Sequence, residues 1–155
     1  MNSELERVKT IDRLTEYVPY LLEIFRNKKY RKLFEDDMTD TIFVSRIFEH
    51  FKNPKNFIYG RIVNNRLEFF ACTSSVFVDE TKAFCWFAYS NPHNSNKTYK
   101  WFDFLKDEMR KAGIKEIRFI TNRLTKAYRL FAQKVGARLL CQTYSIKLKD
   151  ENVIQ

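Results

Sequence analysis

One stretch of the chain, ITNRLTKAYRLFAQKVGARLL at 120–140, has the pattern of a strand, a helix and a second strand. Asn122 comes where the first strand would end, and Gly136 comes where the helix would stop. Both residue types are common at the ends of helices and strands, so Asn122 and Gly136 could simply mark where these elements end. The alternative is that this stretch forms the closing half of a cofactor site. The remaining elements of the chain must decide between the two.

The cysteines and histidines do not have the spacing of a metal site. Cys72, Cys85 and Cys141 are isolated inside apolar stretches, and no two of them have metal-ligand spacing. The two histidines, His50 and His93, are too few for most metal sites. We therefore expect buried thiols in a reducing compartment, no metal, and a cytoplasmic protein.

The composition is that of an ordinary folded protein, with 45% apolar and 30% charged residues in 155. That length is one domain by the usual prior, so a single domain over 1–155 is expected. No run of 18 apolar residues is present, which argues against a membrane span. The first residues lack the basic-then-apolar order of a signal peptide.

The net charge of +9 has two explanations. Five basic residues lie in RNKKYRK at 26–32, and such an excess favours a polyanion: nucleic acid, an acidic protein or a phosphorylated cofactor. A solvated basic surface explains the charge equally well. A polyanion or acidic-protein contact through 26–32 is therefore one expectation of two.

Apolar periodicity divides the chain into ten elements in the order β-α-α-β-β-β-α-β-α-β, an α+β class. A short strand and two helices come first. Three strands rich in aromatic and β-branched residues follow, and short polar hinges join them into an antiparallel meander. A helix, a strand, the helix between Asn122 and Gly136, and a last strand complete the order. The predicted bounds after the second helix are 57–63, 67–78, 82–90, 97–113, 114–121 and 137–148.

This order resembles the GCN5-related N-acetyltransferase (GNAT) fold along nearly the whole chain, a three-layer fold with a mixed, mostly antiparallel sheet and helices on both faces. Members commonly show an asparagine after the fifth strand and then a pattern like A-x-x-x-[YF]-x-x-x-G-[FA]. The residues that carry this resemblance here are Asn122, Ala127, Phe131, Gly136 and Ala137. A narrower resemblance, which includes CWF at 85–87, is to small GNAT-like proteins of short-tailed bacteriophages, which implies a host cytoplasm.

The resemblance implies an N-acetyltransferase that moves an acetyl group directly from acetyl-CoA to an amine acceptor that the sequence does not identify. Two parallel strands that separate at their ends leave backbone groups for the pantetheine arm, and a helix N-terminus offers N–H groups to the pyrophosphate. The strands would separate between 87–91 and 119–122. The implied cofactor-binding residues are Phe87, Ala88, Tyr89, Ser95, Asn96, Lys97, Thr98, Asn122 and Phe131.

Three departures from the family bear on activity. The segment NPHNSNKTYK at 91–100 has no glycine, whereas the family's phosphate loop reads [RQ]-x-x-G-x-[GA]. Phe131 stands where many members have the tyrosine that protonates the leaving thiolate, and Tyr128 is the substitute one turn earlier. No acid occurs in 83–91, so the candidate bases are Glu68, Tyr89 and His93. Each also has an ordinary interpretation: a solvent-facing strand residue, a wall aromatic and a surface loop residue.

Two other functions stay open at this point. The departures favour a GNAT-fold protein that has lost catalysis and acts as a phage structural, virion-associated or binding module. The basic segment 26–32, with Lys52, Lys55, Tyr30 and Phe34, would instead suit a nucleic-acid binder with steep salt dependence.

Overall fold

The structure is a computed structural model, and it describes residues 5–31, 34, 37–76, 79–119, 126–139, 146 and 148. For 75, 76, 79, 80, 94–96 and 126–128 it describes the backbone. The contacts divide the chain into two compact units, residues 1–124 and residues 125–155. The expectation of a single domain over 1–155 stays a prediction.

The first unit holds five strands, four helices and a 3₁₀ turn among its described residues. The elements in chain order are β1 (Glu6–Arg7), α1 (Ile11–Arg26), α2 (Lys28–Arg31), α3 (Asp40–Lys52), β2 (Phe57–Val63), β3 (Arg66–Val76), β4 (Asp79–Ser90), the 3₁₀ turn (Pro92–Asn94), α4 (Ser95–Lys111) and β5 (Glu116–Phe119). The second unit contains α5 (Lys126–Lys134).

The five strands form one sheet in the order β1-β2-β3-β4-β5. The first three pairings are antiparallel, and β4 pairs with β5 in parallel. Asn64 and Asn65 join β2 to β3 with positive φ angles of 51° and 59°, which a two-residue type I′ hairpin requires. The short polar hinge that the sequence predicted there is confirmed as a tight turn.

Each face of the sheet carries its own apolar core. On one face, α1 and α3 bury their apolar stripes against β2–β4, with Leu14, Leu21, Phe43, Ile47 and Phe70 among the fully buried side chains. On the other face, α4 packs through Trp101, Leu105 and Met109. This is the three-layer arrangement with helices on both faces that the sequence predicted.

Side-chain caps set where the first and third helices begin. The Thr10 hydroxyl accepts from the Arg13 backbone N–H at 3.2 Å, and the Thr39 hydroxyl accepts from that of Ile42 at 3.2 Å. These bonds satisfy N–H groups that have no partner within a helix. Thr10 and Thr39 are therefore the N-caps of α1 and α3.

The last predicted strand, 137–148, falls largely outside the described residues, and Asn122 lies outside them as well. Strand β5 is described as far as Phe119. In the part of the chain that is described, no helix has the length and apolar character that crossing a membrane requires.

Candidate active site

A bulge interrupts β4 at Trp86. On the β3 side, Cys72 is paired with Phe87, while the next residue, Thr73, is paired with Cys85. Trp86 is therefore one extra residue, opposite no partner on β3. Such a bulge bends the strand, raises its twist and re-aims the residues that follow it.

The pairing between β4 and β5 is described as far as the same point. The last described pair is Cys85 with Phe119, whereas β4 continues to Ser90. Among the described strands, none covers the edge of β4 from Trp86 to Ser90. Backbone N–H and C=O groups along such an edge can pair with an extended ligand. The separation of the two parallel strands, predicted between 87–91 and 119–122, lies partly outside the described residues and stays a prediction.

The first turn of α4 is tied to the end of β4. The hydroxyl oxygens of Ser90 and Thr98 lie 2.6 Å apart and share a hydrogen bond. In the connection between the two elements, the Asn91 side-chain oxygen accepts from the backbone N–H of His93 at 3.0 Å. The N–H groups of a helix's first turn lack intrahelical partners and form its positive dipole end. These contacts keep that end of α4 close to the uncovered edge of β4.

A cleft of about 350 Å³ opens beside the same end of the sheet, on the side of α1. We call it the acceptor cleft. Side chains from α1, α2, the β2–β3 turn and the end of β4 line it: Tyr20, Glu23, Ile24, Asn27, Tyr30, Asn65, Arg66, Leu67, Tyr89, Asn91 and His93.

Tyr89 lies at the wall that the acceptor cleft shares with β4. Its ring meets the ring of Tyr30 edge to face, with centroids 5.9 Å apart. Burial raises the pKa of the Tyr89 hydroxyl, and Tyr30, Glu68 and Glu23 raise it further. The phenol is therefore protonated at neutral pH, which makes it a hydrogen-bond donor rather than a base. Glu23 and Glu68 are the carboxylates whose charges act on the Tyr89 hydroxyl.

The structure brings some of the predicted site residues together and separates others. Tyr89 and His93 line the acceptor cleft, and Glu68 is close enough to raise the pKa of Tyr89. Phe87 is buried in the core beside α3, where its ring meets that of Phe43 at 5.4 Å, so its backbone is the part of the residue that a ligand would meet. Ala88 is exposed on the strand.

The predicted phosphate-binding residues lie at the start of α4. Ser95 and Asn96 are its first two residues, and Lys97 is exposed. Thr98 is half-buried because its hydroxyl faces Ser90. A 3₁₀ turn at Pro92–Asn94 stands where the family has its glycine-rich loop.

The predicted residues of the second unit are described on their own. Tyr128 is in α5, where the backbone is described, and Phe131 is half-buried in the same helix. Gly136 has a φ of +80°, the left-handed conformation that ends a helix, so its role as a helix stop is confirmed. Phe131 and Gly136 are five positions apart, whereas the family pattern places them four apart. The match in this helix is therefore looser than its residue types indicate.

Glu23 and Arg66 were missed by reasoning from the sequence. The bases predicted from the sequence were Glu68, Tyr89 and His93, whereas Glu23 comes from α1. A signal was present, because Tyr20, Glu23, Ile24 and Asn27 follow the i, i+3, i+4, i+7 spacing of one helix face. Arg66 follows the two asparagines of the hairpin and could not be placed without the sheet register.

The expectation of buried thiols is confirmed for two of the three cysteines. Cys72 and Cys85 are buried, and burial raises the pKa of both thiols, that of Cys85 to about 12. Cys141 lies outside the described residues. The described residues contain no group of three or more histidine, cysteine or acidic side chains that could hold a metal ion.

Arg26 and Arg31, in the basic segment at 26–32, join the segment to other parts of the chain. The Arg26 guanidinium donates to the Asp40 carboxylate at 2.8 Å. The Arg31 guanidinium donates to the Met38 carbonyl at 2.6 Å and lies 4.7 Å from the centre of the Phe25 ring. Part of the basic excess therefore holds the connection between α1 and α3.

No family model and no curated protein sequence matches the chain. Solved structures do match. An aminoglycoside acetyltransferase from an uncultured soil metagenomic sample, in complex with sisomicin, superposes with a TM-score of 0.65 at 10% identity, over 94% of this chain and 96% of that one. The ribosomal-protein-alanine N-acetyltransferase of Brucella melitensis gives a TM-score of 0.63 at 13% identity, over 94% and 99%. A predicted acetyltransferase from Clostridium acetobutylicum, with acetyl-CoA, gives 0.64 at 15%, over 92% and 96%.

The chain has the GNAT fold. The matches span nearly the whole of this chain and of each neighbour, so the fold predicted from the sequence is confirmed. Identities of 10–15% to these three neighbours show the GNAT fold and no more than that. The special likeness to bacteriophage proteins stays a prediction.

Proposed function

We propose that the protein is an N-acetyltransferase that takes the acetyl group of acetyl-CoA and places it on an amine bound in the acceptor cleft. The observation that carries the proposal is the edge of β4 that no described strand covers, from the Trp86 bulge to the first turn of α4. An extended pantetheine arm can pair with such an edge, and the helix end suits a pyrophosphate. Neighbours with this fold have been solved with CoA or acetyl-CoA.

The chain offers groups for both substrates. Backbone groups of 87–89 would pair with the pantetheine arm and polarise the thioester carbonyl. Lys97 and the N–H groups at the start of α4 would hold the phosphates. The segment 91–100 supports this without glycine, because the bonds of Asn91 and Thr98 order the connection into the helix.

The reaction needs one proton removed and one supplied. The amine nitrogen forms a bond to the thioester carbonyl carbon, the carbonyl carbon–sulfur bond breaks, and CoA leaves as a thiolate that takes up a proton. Glu23, or Glu68 through water, would accept the proton that the amine loses. Tyr89 is protonated at neutral pH because its pKa is raised, so it would act as a donor. Asn122 at the pantetheine arm and Tyr128 as a further acid stay predictions.

The side chains that line the acceptor cleft indicate the class of acceptor. Three tyrosines, Glu23 and Arg66 line it, which suits an amine with an apolar or aromatic body and polar substituents. Neighbours with this fold include an aminoglycoside acetyltransferase and a ribosomal-protein-alanine N-acetyltransferase, which supports an amine acceptor in general.

A coupled thiol-release assay tests the proposal. Purified protein is mixed with acetyl-CoA and a panel of aminoglycosides, polyamines, aryl amines and peptide N-termini, and free CoA thiol is followed by its reaction with a disulfide dye. We expect release that depends on at least one amine, and a loss of at least about tenfold in kcat for Glu23→Gln. Glu49→Gln, a solvent-exposed carboxylate paired with Lys52 on α3, is the matched control and should match wild type.

Binding of acetyl-CoA without thiol release for any amine would overturn the proposal and would assign a binding role to the fold. An equal rate for the two glutamate variants would remove Glu23 from the reaction and leave Glu68 as the base.

A further inference from the structure

A buried histidine in α3 bonds directly to the bulge residue of β4. His50 lies in the last turn of α3, and 7% of its surface is exposed. Its Nε2 lies 3.1 Å from the Phe57 carbonyl oxygen, and the Trp86 indole N–H donates to its Nδ1 at 3.0 Å. The rings of His50 and Trp86 meet edge to face with centroids 5.9 Å apart.

These two bonds fix the protonation of the imidazole. An indole N–H can only donate, so Nδ1 must accept, and the ring hydrogen must sit on Nε2, where it is donated to the Phe57 carbonyl. The imidazole is therefore neutral, and burial lowers its pKa, which keeps it so. Asn56 supports the same geometry, because its side-chain amide donates to the His50 carbonyl at 3.0 Å.

Trp86, the partner of His50, is the extra residue of the bulge in the middle of β4 and has no partner on β3 in the strand register. Trp86 comes directly after Cys85, the last residue of β4 with a described partner on β5, and directly before the backbone proposed to meet the thioester. A bulge holds one geometry only if something fixes its extra residue. The hydrogen bond from Trp86 to His50 ties that residue to α3, across the core between helix and sheet.

We propose that His50 is a positioning residue, which holds the Trp86 bulge and thereby aims the backbone of 87–90 at acetyl-CoA. The identity of the ligand in this inference rests on the proposed function. The role of His50 in the geometry of β4 does not depend on that function. If His50 served stability alone, its replacement would lower the unfolding temperature but would leave the backbone of 87–90 and the affinity for acetyl-CoA unchanged.

The test compares two replacements of nearly equal shape. His50→Asn keeps an acceptor close to the position of Nδ1, whereas His50→Leu removes it. Trp86→Phe keeps an aromatic ring and removes the donor. Ile47→Val, one turn earlier on α3 and 1% exposed, is a control that weakens the same core without touching the bond. Calorimetry at a temperature where every variant is folded gives the acetyl-CoA affinity. Backbone amide resonances of 86–90 without ligand report the bulge.

We expect His50→Leu and Trp86→Phe each to weaken acetyl-CoA binding by about tenfold, the effect of one buried hydrogen bond. The double variant should bind no more weakly than the weaker single variant, because both remove the same bond. His50→Asn should stay within about threefold of wild type. Ile47→Val should bind like wild type, and the amides of 86–90 should shift in His50→Leu but not in Ile47→Val.

Unchanged affinity and unchanged amides of 86–90 in His50→Leu would overturn the inference. If His50→Leu does not fold, Trp86→Phe decides by the same two readouts. If wild type itself does not bind acetyl-CoA, the proposed function fails, and the amide resonances alone then decide the role of His50. Shifts at 86–90 would support that role, and shifts confined to α3 would exclude it.

Discussion

Gly60 in β2 sets how closely α1 can approach the sheet. A Cβ atom at this position would lie 2.6 Å from the nearest ring carbon of Tyr17, whose side chain is fully buried. The Tyr17 hydroxyl also donates to the Glu6 carboxylate at 3.0 Å, so the ring is held at both ends. The ring can therefore not move aside without loss of a contact.

We expect Gly60→Ala to lower the free energy of unfolding by about 1–3 kcal/mol, the usual cost of overpacking a core. Urea denaturation measures this. In a Tyr17→Leu background the same substitution should cost clearly less, because the ring that the methyl group meets is gone. An equal cost in both backgrounds would show that the contact with Tyr17 is not the cause.

His50 predicts a pH dependence of stability. Its pKa is lowered in the folded protein, so the unfolded chain binds the proton first as the pH falls. Its contribution to stability is present above the unfolded pKa of about 6.5 and is lost as the pH falls through that value towards the folded pKa. The neighbours that contact its ring, Trp86, Asn56 and the backbone of Phe57 and Thr73, are uncharged.

Denaturation of wild type and of His50→Asn between pH 7.5 and 5.5 isolates the contribution of His50 to the pH dependence of the free energy of unfolding. The wild-type free energy of unfolding should fall more steeply towards acid than that of His50→Asn, by at most about 1.4 kcal/mol per pH unit. Parallel curves for the two proteins would contradict the assignment of a neutral, buried His50.

At the scale of elements, the position of α4 relative to β4 makes the phosphate end of the site. Lys97 is exposed in the first turn of α4, where its charge adds to the helix dipole, and Lys100 is exposed one turn later. We expect Lys97→Ala to weaken acetyl-CoA binding by about two- to fivefold at low salt, and by less at high salt. Lys100→Ala is the matched control, and equal losses in both variants would point to a diffuse charge effect instead.

The elements themselves could be predicted from the sequence because each follows from a local pattern. Strands β2, β3 and β4 are runs of aromatic and β-branched residues, and Asn64 and Asn65 favour the turn between the first two. The bulge at Trp86 could not be predicted, because it is a mismatch between the registers of two strands and not a property of either.

The acceptor cleft could not be predicted from the sequence either. Glu23, Arg66 and Tyr89 come from three elements far apart in the chain, so their meeting depends on how α1 crosses the sheet. The hydrogen bond of His50 to Trp86 joins residues 36 positions apart, and nothing in either local sequence indicates it. The resemblance to the GNAT pattern supplied the location of the proposed site, whereas the side chains that line the cleft could be identified only from the structure.

At the scale of the whole molecule, the five-stranded sheet of the first unit separates two apolar cores, one under α1 and α3 and one under α4. The uncovered edge of β4 lies between them in the sheet. A ligand can therefore meet the α4 N-terminus from one face while an amine approaches through the acceptor cleft on the other. This division places the two proposed substrates on opposite sides of the strand that would join them.

The central claim is that the uncovered edge of β4 and the start of α4 bind acetyl-CoA. A calorimetric titration of the purified protein with acetyl-CoA, at two salt concentrations, tests it most directly. The account predicts saturable binding of one acetyl-CoA per chain, weaker at the higher salt concentration and displaced by free CoA. No binding heat and no thermal stabilisation at millimolar acetyl-CoA would contradict it, and the GNAT fold would then serve this protein as a scaffold for another function.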